Sequence, residues 1–186
     1  KSRNKKSYKK MISIIDYGNG NLSAIANIFK NLKINHQITS DKTKIINSDK
    51  YILPGVGSFD KTITTLKQSG ILDILEKEVI IKKKPILGIC VGMQILSNES
   101  AEGKLKGLGW IPGKVKQFNK KNLKQHNLYL PHMGWNSIRE CHEGHPLLYK
   151  INLKEGFYFL HSYYFETKLI SNSIAISDYV TLFSCM

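Results

Sequence analysis

Pro85-Ile86-Leu87-Gly88-Ile89-Cys90-Val91-Gly92-Met93-Gln94 packs a strand, a sharp turn and the start of a helix into ten residues. Pro85 to Ile89 is an apolar run broken only by Gly88, the pattern of a strand buried on both faces in the middle of a parallel sheet. A helix is predicted from about Gly92 to Ser97. Between them lies Gly88-Ile89-Cys90-Val91-Gly92, the cysteine form of a nucleophile elbow. Such a turn strains its central residue, and glycines two positions to either side make room for it. The sulfur would then stand at the start of the next helix, where the helix dipole favours thiolate over thiol. The backbone N–H of Val91 would face the oxygen of a tetrahedral intermediate, as half of an oxyanion hole. A buried structural cysteine between packing glycines is the competing explanation; the flanking strand and helix favour the nucleophile.

Working back toward the N-terminus, the same alternation recurs. Ile12 to Ile15 predicts a short buried strand, and Asp16 to Asn21 a loop. Leu22, Ile25, Ile28, Phe29 and Leu32 follow at helical spacing. Further strands are expected near Ile34 to Thr39 and at Tyr51 to Leu53, the latter ended by Pro54-Gly55-Val56-Gly57. Glycine on both sides of Val56 lets that peptide turn and present an N–H, which would complete the oxyanion hole; an ordinary strand-ending turn is the alternative. Helices are predicted near Phe59 to Gln68 and Ile71 to Lys82, the second with Ile71, Leu72, Leu75, Val79 and Ile80 on one face and Lys82 to Lys84 at its cationic end. Strands alternating with helices imply a doubly wound, mostly parallel α/β sheet.

After Gly103 the pattern changes. Short β-like runs near Lys114 to Phe118, Leu128 to Met133, Phe157 to Leu160, Tyr163 to Phe165 and Ile174 to Leu182 suggest an antiparallel extension of the sheet. With no repeat and no linker, residues 11–186 read as one domain, preceded by a disordered basic extension over 1–10.

Composition narrows the function classes. The chain has 186 residues, 41% hydrophobic, enough for one domain with a sizeable core. No apolar stretch approaches the roughly 18 residues of a membrane span, and Met11 to Ile15 is too short for a secretory signal. Three widely spaced cysteines, Cys90, Cys141 and Cys185, argue against a disulfide framework and for a reducing cytoplasmic setting. Of the net charge of +14, six charges fall in the first ten residues. Only Arg3 and Arg139 are arginine, and base-edge readers favour arginine, so a solvated lysine surface accounts for the charge better than nucleic-acid binding. Cys141, His142 and His145 lie close together, but without a second ligand pair they read as a polar loop and not as a metal site.

Taken with their order, these residues carry a resemblance. Ile14 to Asn21 (I-I-D-Y-G-N-G-N), Leu53 to Phe59 (L-P-G-V-G-S-F), Gly88 to Gln94 (G-I-C-V-G-M-Q), Gly107 to Gly113 (G-L-G-W-I-P-G), Pro131 to Asn136 (P-H-M-G-W-N) and Phe157 to Tyr164 (F-Y-F-L-H-S-Y-Y) form an ordered set. That set resembles the glutaminase subunit of imidazole glycerol phosphate synthase, a triad-type (class I) glutamine amidotransferase. The resemblance implies that Cys90 attacks the side-chain amide of glutamine and that ammonia passes to a (β/α)8 cyclase subunit in a heterodimer of histidine biosynthesis. It implies oxyanion N–H groups from Val56 and Val91, and glutamine binding by Gly55, Gly57, Gln94, His161, Ser162 and Tyr163. It places Asn19, Asn21, Trp135 and Asn136 toward the cyclase, and it implies no cofactor and no metal.

One part of the family pattern does not occur. The histidine and glutamate partners of the cysteine, carried in an F-H-P-E-K-S segment, are absent from the sequence, and the chain is expected to stop short of them. His161 is the one tempting substitute base, although its motif puts it in the wall of the glutamine site. The missing ending would leave sheet edge and core uncovered, with lower stability. Two alternatives therefore stay beside the glutaminase: the same subunit serving a sugar-amidating partner, or a partner-binding subunit without activity.

Overall fold

A computed structural model describes residues 10–186. Of the predicted basic extension only Lys10 falls among them; the rest lies outside the described residues. The chain divides between Met93 and Gln94 into two compact units.

The first unit is α/β. Its elements are β1 (Ile12–Ile15), α1 (Leu22–Asn31), β2 (His36–Thr39), α2 (Lys42–Ile46), β3 (Lys50–Gly55), α3 (Phe59–Gln68), α4 (Leu72–Glu76) and β4 (Ile86–Cys90). The four strands are all parallel, in the order β2-β1-β3-β4. From β1 the chain crosses to β2 on one side and then returns to β3 on the other. Right-handed crossovers therefore put α1 on one face and α2, α3 and α4 on the opposite one. Ile14, Ile15, Leu53, Phe59, Ile63, Leu66 and Leu75 are fully buried between these layers. The reversal between β1 and β3 is a topological switch point, where ligands of such sheets bind beyond the carboxyl ends of the strands. The loops after β1 and β3 lie at that end, as does Cys90.

Most predicted elements appear, with instructive departures. The helix expected to run from Ile71 to Lys82 stops at Glu76 and continues as a π-helical turn, Lys77–Ile81. The N–H of Lys82 donates to the carbonyl of Lys77, five residues back. The wider turn buries Glu78 to 1% exposure and leaves Ile81 exposed. Lys82 and Lys84 each pair with that carboxylate at 2.6 Å, so these two lysines neutralise a buried acid as well as ending a helix. Burial alone would raise the Glu78 carboxyl; the hydrogen bonds and charges of Lys82 and Lys84 outweigh it and hold it below the usual range. The sequence does not predict α2: its five residues are too few to show a period, and it depends on Asp41 capping the N–H of Lys44 at 2.8 Å.

A one-turn helix, α5 (Val91–Gln94), leads into the second unit. There follow β5 (Glu99–Ser100), β6 (Gly113–Gln117), α6 (Lys120–Gln125), β7 (His132–Asn136), β8 (Arg139–Glu140), β9 (Phe157–His161), β10 (Tyr163–Thr167), β11 (Ala175–Asp178) and β12 (Leu182–Ser184). β5 pairs parallel with β6, and the remaining ladders of the six-stranded sheet β5-β6-β10-β12-β11-β8 are antiparallel. β7 and β9 form a separate antiparallel ribbon. The strands of this unit thus hydrogen-bond among themselves in a mixed sheet and a ribbon. The strand expected at Leu128 to Met133 starts instead at His132, because Leu128 and Leu130 are loop residues packed on an aromatic cluster and Pro131 has no N–H for a ladder. The run Ile174 to Leu182 folds back on itself as a hairpin of β11 and β12, turning through Val180 at φ +58°. A β-branched residue rarely takes that conformation, which is why the run reads as one strand in sequence.

Candidate active site

Cys90 ends β4 at φ +56°, a left-handed conformation that is costly for any residue with a side chain. Its thiol is exposed. The glycines beside it are required by close approach: a Cβ on Gly92 would run into the carbonyl oxygen of Leu53, and one on Gly88 would meet the backbone of Met93 at 2.5 Å. A Cβ on Gly55 would in turn strike the N of Gly92, so the end of β3 and the first turn of α5 touch through backbone alone. That contact brings Val56 and Val91, the two expected oxyanion donors, to neighbouring strand ends. Val56 is exposed and Val91 is buried. The helix predicted as far as Ser97 lasts a single turn, which removes most of the dipole invoked for the thiol.

The loop after β1 fastens this region in a way the sequence does not reveal. Asn19 Nδ2 donates to the carbonyl of Val56 and to Thr62 Oγ1, both at 3.0 Å. The Tyr17 hydroxyl donates to the carbonyl of Pro54, and a Cβ on Gly20 would clash with the Pro54 ring. Burial pushes the Tyr17 phenol up, so it stays a donor. Asn21 caps α1 by accepting from the N–H of Ala24 at 3.2 Å. Asn19 and Asn21, expected at a partner surface, therefore also have structural tasks within the chain.

In the second unit, Gln94 Nε2 donates to the carbonyl of Tyr163 at 3.1 Å. The same carbonyl lies 2.9 Å from His161 Nδ1. Gln94, His161 and Tyr163, expected around glutamine, are thus joined at one oxygen, with Ser162 between the last two in sequence. His161 Nε2 lies 2.9 Å from Nδ1 of His132, a residue of the Pro131 to Asn136 block to which the sequence assigns no role. Burial lowers both imidazoles, His132 to about 4, and the two rings oppose each other's protonation, which lowers His132 further. Both ring nitrogens of His161 are engaged, so it is not free to act as a base.

The ribbon of β7 and β9 has two different faces, as the period of 2 along a strand requires. His132, Gly134 and Asn136 turn one way, and Asn136 Nδ2 donates to the carbonyl of Asp178 at 2.8 Å. Met133, Trp135, Tyr158 and Leu160 are all more than half exposed. They form cross-strand pairs, Met133 opposite Leu160 and Trp135 opposite Tyr158. The expected partner residues Trp135 and Asn136 therefore lie on opposite faces, and only Trp135 belongs to the exposed apolar one.

The family model described as glutamine amidotransferase class-I matches residues 13–181. The imidazole glycerol phosphate synthase subunit HisH of Leptospira borgpetersenii is 47% identical over 175 residues, covering 94% of this chain and 85% of its own length. That of Bdellovibrio bacteriovorus is 44% identical over 176 residues, with the same coverage of both chains. Among solved structures, a putative GMP synthase component from Thermoplasma acidophilum matches with a TM-score of 0.55 at 16% identity, over 85% of this chain and 67% of that one, a likeness of fold alone. With a strained, exposed cysteine between close-packed glycines and these relatives along most of its length, the chain belongs to the class-I glutamine amidotransferases, in the HisH glutaminase family of imidazole glycerol phosphate synthase.

Proposed function

We propose that Cys90 is the nucleophile of a glutaminase half-reaction and that the ammonia it releases is used by a (β/α)8 cyclase subunit in histidine biosynthesis. The observation that carries this is Cys90 held at φ +56° with its thiol exposed, because strain at a single cysteine has no packing purpose there. The thiolate attacks the carboxamide carbon of glutamine. The N–H groups of Val91 and Val56 would stabilise the resulting oxyanion. The C–N bond breaks, ammonia leaves with an added proton, and a glutamyl thioester remains. Water then attacks the thioester, giving glutamate and the free thiol. Gly55, Gly57, Gln94, His161, Ser162 and Tyr163 are proposed to hold the amino-acid end of glutamine. No proton acceptor for Cys90 is assigned among the described residues.

For the partner, the exposed face of Met133, Trp135, Tyr158 and Leu160 is the proposed docking surface of the second unit. Four large apolar side chains on a two-stranded ribbon mark an interaction site better than a solvated surface. The Asp16 to Asn21 loop is the proposed contribution of the first unit. The domain bounds 11–186 and a cytoplasmic location are part of the same proposal; the three free cysteines fit a reducing compartment.

Labelling with a glutamine-mimicking electrophile tests the nucleophile. Cys90 is expected to be modified, glutamine to protect it, and Cys90→Ala to abolish the adduct; labelling confined to Cys141 or Cys185 would reject the assignment. An ammonia-release assay with added cyclase separates a working glutaminase from a binding-only subunit. Release that vanishes in Cys90→Ala excludes the latter.

A further inference from the structure

We infer that His132 is a positioning residue: its Nδ1–H holds His161 in one tautomer and one orientation, and so fixes the His161 to Tyr163 segment and the carbonyl that Gln94 shares.

The proton positions follow from the partners. A backbone carbonyl only accepts, so the 2.9 Å contact between His161 Nδ1 and the Tyr163 oxygen requires the proton on Nδ1. Neutral His161 then has a bare Nε2, an acceptor. The facing atom 2.9 Å away, His132 Nδ1, must donate. Neutral His132 is left with a bare Nε2, and the group within reach of it, Asn136 Nδ2 at 3.4 Å, is a donor. That amide also donates to the carbonyl of Asp178 at 2.8 Å, which ties the relay to the end of β11. The chain of donors runs in one direction, from Asn136 through His132 and His161 to Tyr163.

Packing holds the relay in place. The His132 ring is stacked on Tyr179 at 4.0 Å and on Phe159 at 4.9 Å between centroids, with Phe118 and Phe183 edge-on. Only 4% of the residue is exposed. The titratable groups in and around this cluster are His161, Tyr179, Tyr164 and Cys185, with no carboxylate among them. No charge there favours an imidazolium, and a proton added to either ring would place two donors face to face. Both rings therefore stay neutral, and the tautomers do not interchange. That the fixed segment serves glutamine rests on the function proposed above; the lock itself does not.

Long-range 15N–1H correlation spectra of the full chain between about pH 8 and 6 test the lock. Both rings are expected in the Nδ1–H form, uncharged, with a scalar coupling across the His132 Nδ1–H to His161 Nε2 bond. An Nε2–H tautomer at His132, or His161 titrating near its ordinary value in the wild type, would overturn it. His132→Asn keeps a donor close to the Nδ1 position, whereas His132→Phe keeps the stacked ring without one. His161 is expected to protonate more readily in His132→Phe than in wild type or His132→Asn; equal behaviour in all three would count against the lock. Glutamine affinity, read by calorimetry, is expected to fall on the order of tenfold in His132→Phe and to recover in His132→Asn, the size of losing one donor to a buried acceptor. Unchanged affinity in His132→Phe would sever the lock from the glutamine site. Absent binding in wild type would instead count against the glutamine assignment, leaving the spectra to decide the lock.

Discussion

Cys90 and its glycines show how far a residue's surroundings can be inferred from its immediate neighbours. The elbow is built from five consecutive residues, so its steric demand is written in the sequence, and the left-handed Cys90 meets it. Gly92 has the least freedom to change, since its Cβ would meet the backbone oxygen of Leu53 and not a flexible side chain. Gly92→Ala is expected to destabilise the chain by about 3 kcal/mol or more, measurable by urea denaturation. Asn19 is the opposite case. Nothing near it in sequence indicates that it bonds to Val56 and Thr62, 37 and 43 residues away. Asn19→Ala removes both bonds at a cost of about 1–2 kcal/mol. Because one of them holds the loop at Val56, the proposed oxyanion donor, Cys90 labelling by the glutamine mimic should slow on the order of tenfold; an unchanged rate would show that the loop holds its shape without Asn19.

Among the elements, the π-helical turn after α4 and the aromatic core of the second unit respond to pH in the same direction. Glu78 has a folded pKa held below its ordinary value, so its contribution is present above the usual carboxylate range and is lost as pH falls through it. His132 is also lowered, to about 4, chiefly by burial. An unfolded imidazole takes up a proton near its ordinary 6.5, well before the folded one. Between those values the unfolded state binds more protons, and stability falls as pH drops, by on the order of 3 kcal/mol in total for this one group. Urea midpoints should therefore decline from about pH 6.5 toward 4, and His132→Phe should flatten that slope. Glu78→Gln leaves two lysines without their anion and is expected to cost about 2 kcal/mol at pH 7, less than a fully buried pair because Lys82 and Lys84 reach solvent. The hydrophobic period from Ile71 to Ile80 predicts a helix correctly but cannot show a change of pitch, because that change serves one acid and its two cations.

For the molecule as a whole, exposed apolar surface of the first unit includes Ile81 at the π-helical turn, Ile28 on α1 and Leu32 just after it, and β4, an edge strand, where Leu87 and Ile89 are partly uncovered. Such surface promotes self-association. Ile28→Lys with Leu32→Lys is expected to lower light scattering at high concentration while shifting the unfolding midpoint little, since neither side chain is buried. Apart from the short α2, the order of strands and helices in the first unit, the elbow and the glycine-bounded turn at Gly55 to Gly57 were determined by the sequence alone, because each depends on apolar spacing and backbone freedom among adjacent residues. The tertiary structure alone decided that the later strands pair among themselves, and that Gln94 meets Tyr163 across 69 residues and His132 meets His161 across 29. These are hydrogen bonds between distant segments. Their partners are selected by register and by which face each strand buries, and neither quantity exists until the chain has folded.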